Sequence, residues 1–332
     1  MRRRRKDRRK LLLVPAALLL AAVLFLLLYH PIKQTDLPQV AADRLAIEGN
    51  SLVWADDAQL HGTDIGGEEI FSIPLGFSPE RVFAKKDVRV AAGDTELLIT
   101  DPKGETQHRV TLSPAAESVA VVSDRILALS GKTLYGYTHE GEPVLEMMTD
   151  DPLILAREID DTTYVLTGRA DGTITRGTLY TLEDDRLTVR FPVQNDLIID
   201  FAADGERLAV ATTTDVYLAD GQTVRLPVDA YKGMAFTDEL VILDDNTLKT
   251  YDATGQLMDE TDTGRSFDRM TGRNPSILWN DEAFSILDDG ELSKPMAARV
   301  KKADTQDGII TVYAIVSDHL GRVAQGSARA WK

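Results

Sequence analysis

The sequence predicts an all-β protein built as a radial repeat behind one membrane-crossing segment, on three observations. Seven short apolar runs each end in an aspartate and lead at once into a second strand-like run. Two kinds of Gly/Asp/Asn turn recur between the runs. A stretch near the N-terminus carries no charge. The aspartates are Asp43, Asp87, Asp124, Asp161, Asp204, Asp238 and Asp281, spaced 44, 37, 37, 43, 34 and 43 residues apart. A period of about 40 residues made of short strands is produced by blades set around an axis, and by neither a helical solenoid nor a doubly wound sheet.

Taken in order, residues 1–10 hold six Arg, two Lys and one Asp, and residues 11–30 hold no Asp, Glu, Lys or Arg. Twenty apolar residues as a helix span about 30 Å, the thickness of a bilayer core. Pro15 falls in the first turn, where a missing N–H costs least, Tyr29 stands where an interfacial aromatic belongs, and Pro31 ends the run. Residues 11–30 are therefore expected to form a transmembrane signal-anchor helix. The basic flank precedes it, so the positive-inside bias puts residues 1–10 in the cytoplasm and everything after residue 30 outside. A cleaved signal peptide fits less well. Its apolar core usually covers about 7–15 residues, and the small-residue site Val40-Ala41-Ala42 lies far beyond the run. Residues 31–42 read as a linker or first strand, and residues 43–332 as the repeat domain.

The third unit shows the pattern best. Ser118-Val119-Ala120-Val121-Val122 leads through Asp124 to Arg125-Ile126-Leu127-Ala128-Leu129, a turn at Gly131-Lys132, Thr133-Leu134-Tyr135-Gly136-Tyr137, a turn at Thr138-His139-Glu140-Gly141, and Pro143-Val144-Leu145-Glu146-Met147. These are four strands, a to d, rich in β-branched and aliphatic residues. The c–d turn recurs as Asp101-Pro102-Lys103-Gly104, Ala219-Asp220-Gly221, Asp252-Ala253-Thr254-Gly255 and Asp318-His319-Leu320-Gly321. The b–c turn recurs as Gly49-Asn50, Gly93-Asp94, Asp245-Asn246 and Asp289-Gly290. Glycine suits such connections because tight turns need positive φ. Four strands repeated seven times predict a seven-bladed β-propeller, with a strands at about 37–42, 80–86, 118–123, 153–159, 196–203, 233–237 and 276–280. The seven aspartates are expected to cap the turns that follow the a strands, all on one face of the disc.

The units resemble WD40-type and quinoprotein-type propeller repeats, and Tyr251-Asp252 stands where the WD family has Trp-Asp. A short basic tail, one apolar segment and a cysteine-free propeller together resemble a family of single-pass membrane-anchored β-propellers of Gram-positive bacteria. The resemblance covers the whole chain and implies a location in the cell envelope; it implies no activity.

Charge narrows the partners. Beyond residue 10 the chain carries 29 Lys and Arg against 52 Asp and Glu, a balance of −23. Such a domain repels phosphate backbones, which sets nucleic acid aside. There is no cysteine, so neither a disulfide nor a lipid-modified N-terminal cysteine is available. No nucleophile elbow, His-Glu-x-x-His, phosphate-binding glycine loop or calcium-binding Asp/Asn loop occurs. The three tryptophans (Trp54, Trp279, Trp331) are too few for the docking motif of quinoprotein dehydrogenases, and no sialidase-type box is present. No catalytic, cofactor or metal-ligating residue is singled out, and no cofactor is expected. His139 and His319, in turns read as equivalent, are solvated polar residues on this reading.

One segment gathers positive charge. Ser293-Lys294-Pro295-Met296-Ala297-Ala298-Arg299-Val300-Lys301-Lys302-Ala303 has four cations and no acid. It is read as a long b–c loop of unit seven, with Pro295 placed to open a short helix. Lys294, Arg299, Lys301 and Lys302 then form a candidate surface for an anionic envelope polymer or lipid headgroup, on the face opposite the aspartates. The function expected is a non-catalytic scaffold or sensor outside the membrane, binding a protein or polymer of the envelope. The alternative is a hydrolase or lactonase with an acidic or metal-assisted site in the central channel, distinguished by carboxylates converging on one end of that channel.

Overall fold

A computed structural model describes residues 32–172 and 174–331. The fold is a β-propeller of eight four-stranded antiparallel blades, so the expected count of seven is corrected. Blade one runs through Leu45–Glu48, Ser51–Ala55, Gln59–Asp64 and Glu69–Pro74, in the order a to d from the axis outward. The a strands of blades two to six are Arg81–Lys85, Ser118–Val121, Leu153–Ile159, Ile198–Asp204 and Tyr231–Phe236, each within a few residues of its expected place. The two ends of the chain differ. Strand a of blade seven is Arg269–Gly272, and Ser276–Trp279, read as an a strand from the sequence, is its b strand. Blade eight takes Arg299–Gln306, Ile309–Ser317 and Leu320–Ser327 from the C-terminus and Lys33–Pro38 from the N-terminus as its outer strand.

The miscount has a physical origin. Arg-Met-Thr-Gly is too short and too polar to register as an apolar run, and strand d of blade seven is split into Glu291–Leu292 and Met296–Ala297. A blade closed by strands from both termini also shifts the turn assignments by one strand at each end. Gly49-Asn50 is thus an a–b turn, Asp289-Gly290 a c–d turn, and Asp318–Gly321 a b–c turn. The expected membrane-crossing helix, residues 11–30, lies outside the described residues. Among those described, no helix is long and apolar enough to cross a membrane.

The core lies between blades, not within them. The wedge between blades two and three holds Val90, Leu97, Ile99, Val119 and Ile126, and that between eight and one holds Leu37, Leu45, Leu52, Tyr313 and Val323. Each fully buried leucine or isoleucine contributes about 1.5–3 kcal/mol, so neighbouring blades stabilise one another through both faces. Trp54 is buried and stacks on His61 at 4.0 Å, Trp279 is in the wedge between blades seven and eight, and Trp331 meets Phe284 edge-on at 5.4 Å.

The c–d turns of blades one, two, three and six each pack on the blade before them. In blades one, two and six an aspartate (Asp64, Asp101, Asp252) accepts the N–H groups two and four residues on; Thr138 does the same through its hydroxyl in blade three. The glycine that follows is left-handed and lies flat on the preceding blade's outer strand. A Cβ at Gly104 (φ +75) would meet Phe71 Cβ at 2.6 Å, and one at Gly255 (φ +79) would meet Val224 at 2.6 Å. The capping aspartates are therefore not the seven that follow the expected a strands. Of those, Asp161 supplies a left-handed turn residue (φ 59), while Asp124, Asp204 and Asp281 make ion pairs.

Two outcomes follow for stability. Gly104→Ala combines backbone strain with overlap against Phe71 and should cost about 2–4 kcal/mol, whereas Gly49→Ala, with nothing within 4 Å, should cost only about 1 kcal/mol, as read by urea midpoints. Asp101, held by the N–H groups of Lys103, Glu105 and Thr106, has its carboxyl lowered from 3.8 to about 2 against the opposing effect of burial. A lowered folded-state value gives stability that is present above about pH 4 and is lost as the pH falls toward 2. Asp101→Asn should flatten that acid limb of the urea-midpoint profile.

Candidate functional site at the channel mouth

Because strands alternate in direction, a–b and c–d turns lie on one face of the disc, and b–c and d–a connections lie on the other. Asp87, Asp124, Asp161, Asp204 and Asp238 are on the a–b face. Asp43 precedes strand a of blade one and Asp281 lies in a b–c turn, so both belong to the opposite face and the expected ring of seven is a set of five. His139 and His319 are likewise on opposite faces. Among the described residues no group of three or more His, Cys, Asp or Glu is placed to hold a metal ion.

The predicted basic segment holds no helix: Met296–Ala297 and the residues from Arg299 onward are strand, joined by short links. Lys294 is exposed on the outer rim between the two pieces of blade seven's outer strand, and Arg299 is exposed where strand a of blade eight begins. Lys301 reaches Asp281 at 3.0 Å. Lys302 donates to the Ala42 and Leu45 carbonyls at 3.3 and 2.5 Å, bracing blade eight on blade one. Burial lowers the Lys302 ammonium pKa, with Asp304 and Asp43 opposing the shift. The structure therefore separates these four cations into an exposed pair, one ion-paired lysine and one structural lysine.

A cavity of about 470 Å³ opens at the channel mouth on the a–b face, walled by blades four to eight. Its charged groups come from a strands and a–b turns of different blades. Arg157 of blade four lies over the Phe201 ring at 4.1 Å, donates to the Phe201 carbonyl, and stands 3.6 Å from Asp200 of blade five. Asp200 also accepts the Tyr231 hydroxyl of blade six at 2.7 Å; burial, then that carboxylate, pushes the phenol pKa far up. Arg273, in the a–b turn of blade seven, leaves its own blade. It reaches Asp160 of blade four, the Ala203 carbonyl of blade five at 2.7 Å, and Asp204 of blade five at 3.7 Å. Glu158 is buried, 3.6 Å from Lys85 of blade two and bonded to the Ser123 hydroxyl of blade three at 2.6 Å.

Asp304 stands apart from this pairing. It lies on strand a of blade eight, exposed to the cavity and walled in by the channel, and its hydrogen bond is from the Thr305 N–H at 2.8 Å. Enclosure pushes its carboxyl above the ordinary value, with the Thr305 N–H and Lys302 pulling the other way. None of Arg157, Arg273 or Asp304 was marked by sequence reasoning. The signal available was positional: a polar residue within an otherwise apolar a strand or its turn.

Across solved structures, the fold is similar to that of BamB from Moraxella catarrhalis, with a TM-score of 0.64 at 14% identity over 89% of this chain and 97% of that one. It is similar also to Sqt1 of Saccharomyces cerevisiae, at 0.64 and 8% identity over 88% and 97%. A eukaryotic initiation factor scores 0.57 at 8% identity over 85% and 81%. At these identities the likeness is one of fold. No protein-family model and no curated protein sequence matches the chain.

An acid whose folded-state pKa is raised is a net cost once ionised, and that cost grows as the pH rises through the raised value. Asp304→Asn should therefore leave stability unchanged well below pH 4 and raise the melting temperature by about a degree or two at neutral pH.

Proposed function

We propose that this protein is a non-catalytic interaction module, a rigid disc that scaffolds or senses a component of the cell envelope from the outer side of the membrane. The observation that carries the reading is the cross-blade pairing at the channel mouth. Arg157–Asp200 and Lys85–Glu158 each join different blades, and the same two carboxylates also accept the Tyr231 and Ser123 hydroxyls of two further blades. Groups committed in this way hold a surface in one shape and are poorly placed to trade protons with a substrate. A fixed surface edged by independently variable turns suits partner recognition. The channel-hydrolase reading has two observations in its favour, the carboxylates gathered at one end of the channel and the raised carboxyl of Asp304, but Asp160, Asp200, Asp204 and Glu158 are each held in an ion pair or hydrogen bond.

The location rests on the sequence: eight basic residues, then twenty without charge, ahead of a cysteine-free domain at −23. The first propeller strand begins at Lys33 and runs from the a–b face. An extended chain of three residues covers about 10 Å, so a tether ending at residue 30 would turn the a–b face toward the bilayer. Arg299 would then point away from it, and with Lys294 would offer the contact for an anionic envelope polymer.

Protease added to intact spheroplasts should degrade the propeller and spare an N-terminal epitope, and crosslinking in native membranes should capture an envelope component on the full chain. A soluble, trimmed protein in the medium would overturn the location. Capture that is the same for the folded chain and for one carrying Gly104→Ala together with a second wedge-breaking change, Leu37→Asp, would overturn the role of the disc.

A further inference from the structure

The cavity at the a–b mouth is ligand-sized, and its own side chains show what class of group it holds. Arg273 crosses from blade seven to blades four and five to place its guanidinium against two carboxylates and a carbonyl. Side-chain exposure is 42% for Arg273, 43% for Asp160 and 33% for Asp204. Ion pairs this open to water are worth about 0–1 kcal/mol, so they yield readily to a competitor that brings further contacts. Phe201, Met234, Phe236 and Met270 also border the cavity, but their side chains are buried in the wedges, and Arg157 and Arg207 lie over the Phe201 and Phe236 rings.

Across the cavity, Asp304 has no cation within ion-pair distance among the described residues, since the ammonium of Lys302 is turned to the Ala42 and Leu45 carbonyls. Burial raises its carboxyl, with Glu48 adding, and the Thr305 N–H, Lys302 and Lys85 offset that only in part. An anion would fare badly here: the lining and its immediate partners include Glu158, Asp160, Asp200, Asp204, Asp304 and Asp307 against Lys85, Arg157, Arg207 and Arg273. A domain at −23 also steers basic groups toward itself.

We propose that the channel mouth is a receptor for a basic side chain, an arginine or lysine presented on a loop of a partner protein, and that Arg273 occupies it in cis and is displaced when that loop binds. The incoming cation takes the place of the Arg273 guanidinium at Asp160, shares Asp204 with Arg207, which stays paired to it, and extends to Asp304. Arg273 is then a built-in competitor, which lowers the apparent affinity by the fraction of time it fills the site. The inference rests on the reading of the disc as an interaction module and adds to it a second contact, with a basic protein loop, on the face opposite Arg299.

The test uses the purified full chain in detergent and fluorescent hexa-arginine and hexa-lysine peptides, followed by anisotropy at about 0.15 M salt. The parent should bind saturably. Arg273→Ala should bind about threefold to tenfold more tightly, and Asp304→Asn about tenfold more weakly. Glu105→Gln, which removes the same charge from the exposed c–d turn of blade two on the same face, should bind as the parent does. Arg273→Gln serves as the second variant should Arg273→Ala fail to melt cooperatively. Absence of saturable binding, no tightening in either Arg273 variant, or equal weakening by Asp304→Asn and Glu105→Gln would overturn the proposal. Because the peptides need no envelope component, this result stands apart from whether a partner is captured in membranes.

Discussion

The strand at Lys33–Pro38 holds the ring together. It pairs antiparallel with Leu320–Ser327 over six residue pairs, so the first described strand of the chain is the outer strand of the last blade. Arg322 reinforces the seam with two bonds to Asp36 at 2.6 and 3.1 Å, and Leu37 enters the wedge shared by blades eight and one. Every blade depends on this seam because none buries its own apolar surface alone. Its two faces are covered by two neighbours, and an open ring would leave two of those faces wet. Closure joins residues 286 apart in sequence, a long-range contact whose entropy is repaid only when the remaining wedges are formed.

The fold was legible where local chemistry repeats. Ser118–Val121, Leu153–Ile159 and Ile198–Asp204 each gave an apolar run ahead of an Asp- or Gly-bearing turn, and each is an a strand. The c–d signature of Asp101–Gly104 and Asp252–Gly255 was visible because one side chain and one glycine perform the whole task within five residues. Legibility failed where a strand is defined by its neighbours. Arg269–Gly272 is β-structure because Ser276–Trp279 pairs with it and the wedge covers Met270, not because its own residues favour a strand. Lys294 to Lys302 looked like a loop and helix because proline and alternating cations give no strand period. Edge pairing with Ala283 and Phe284 settles Met296 and Ala297, and pairing with Tyr313 to Ile315 settles the start of Arg299–Gln306.

The mouth was illegible for a different reason. Arg273 and Asp160 are 113 residues apart, and Lys85 and Glu158 are 73 apart, so no sequence window contains both halves of a pair. What brings them together is their shared rank within the repeat, the last residues of an a strand or the turn beyond it. Seven aspartates at that rank suggested one ring, but rank had first to be counted from the right strand. Two of the seven moved to the other face once the blades at the ends were assigned.

The eighth blade bears directly on what the site can be. The girth of a ring of a strands grows with their number, so eight leave a wider lumen than seven, and side chains fill less of it. A narrow channel would have forced apolar residues into contact and excluded Lys302 and Asp304, whose charges are costly where no water reaches. In the wider channel Asp304 keeps contact with the cavity while protein surrounds it, and Lys302 satisfies its ammonium on two carbonyls of blade one. The same width leaves Arg273 a gap to cross from blade seven to blade four instead of a packed plug to rest upon. The blade count thus decides whether the axis of the disc is inert core or a charged mouth, and here it is a charged mouth.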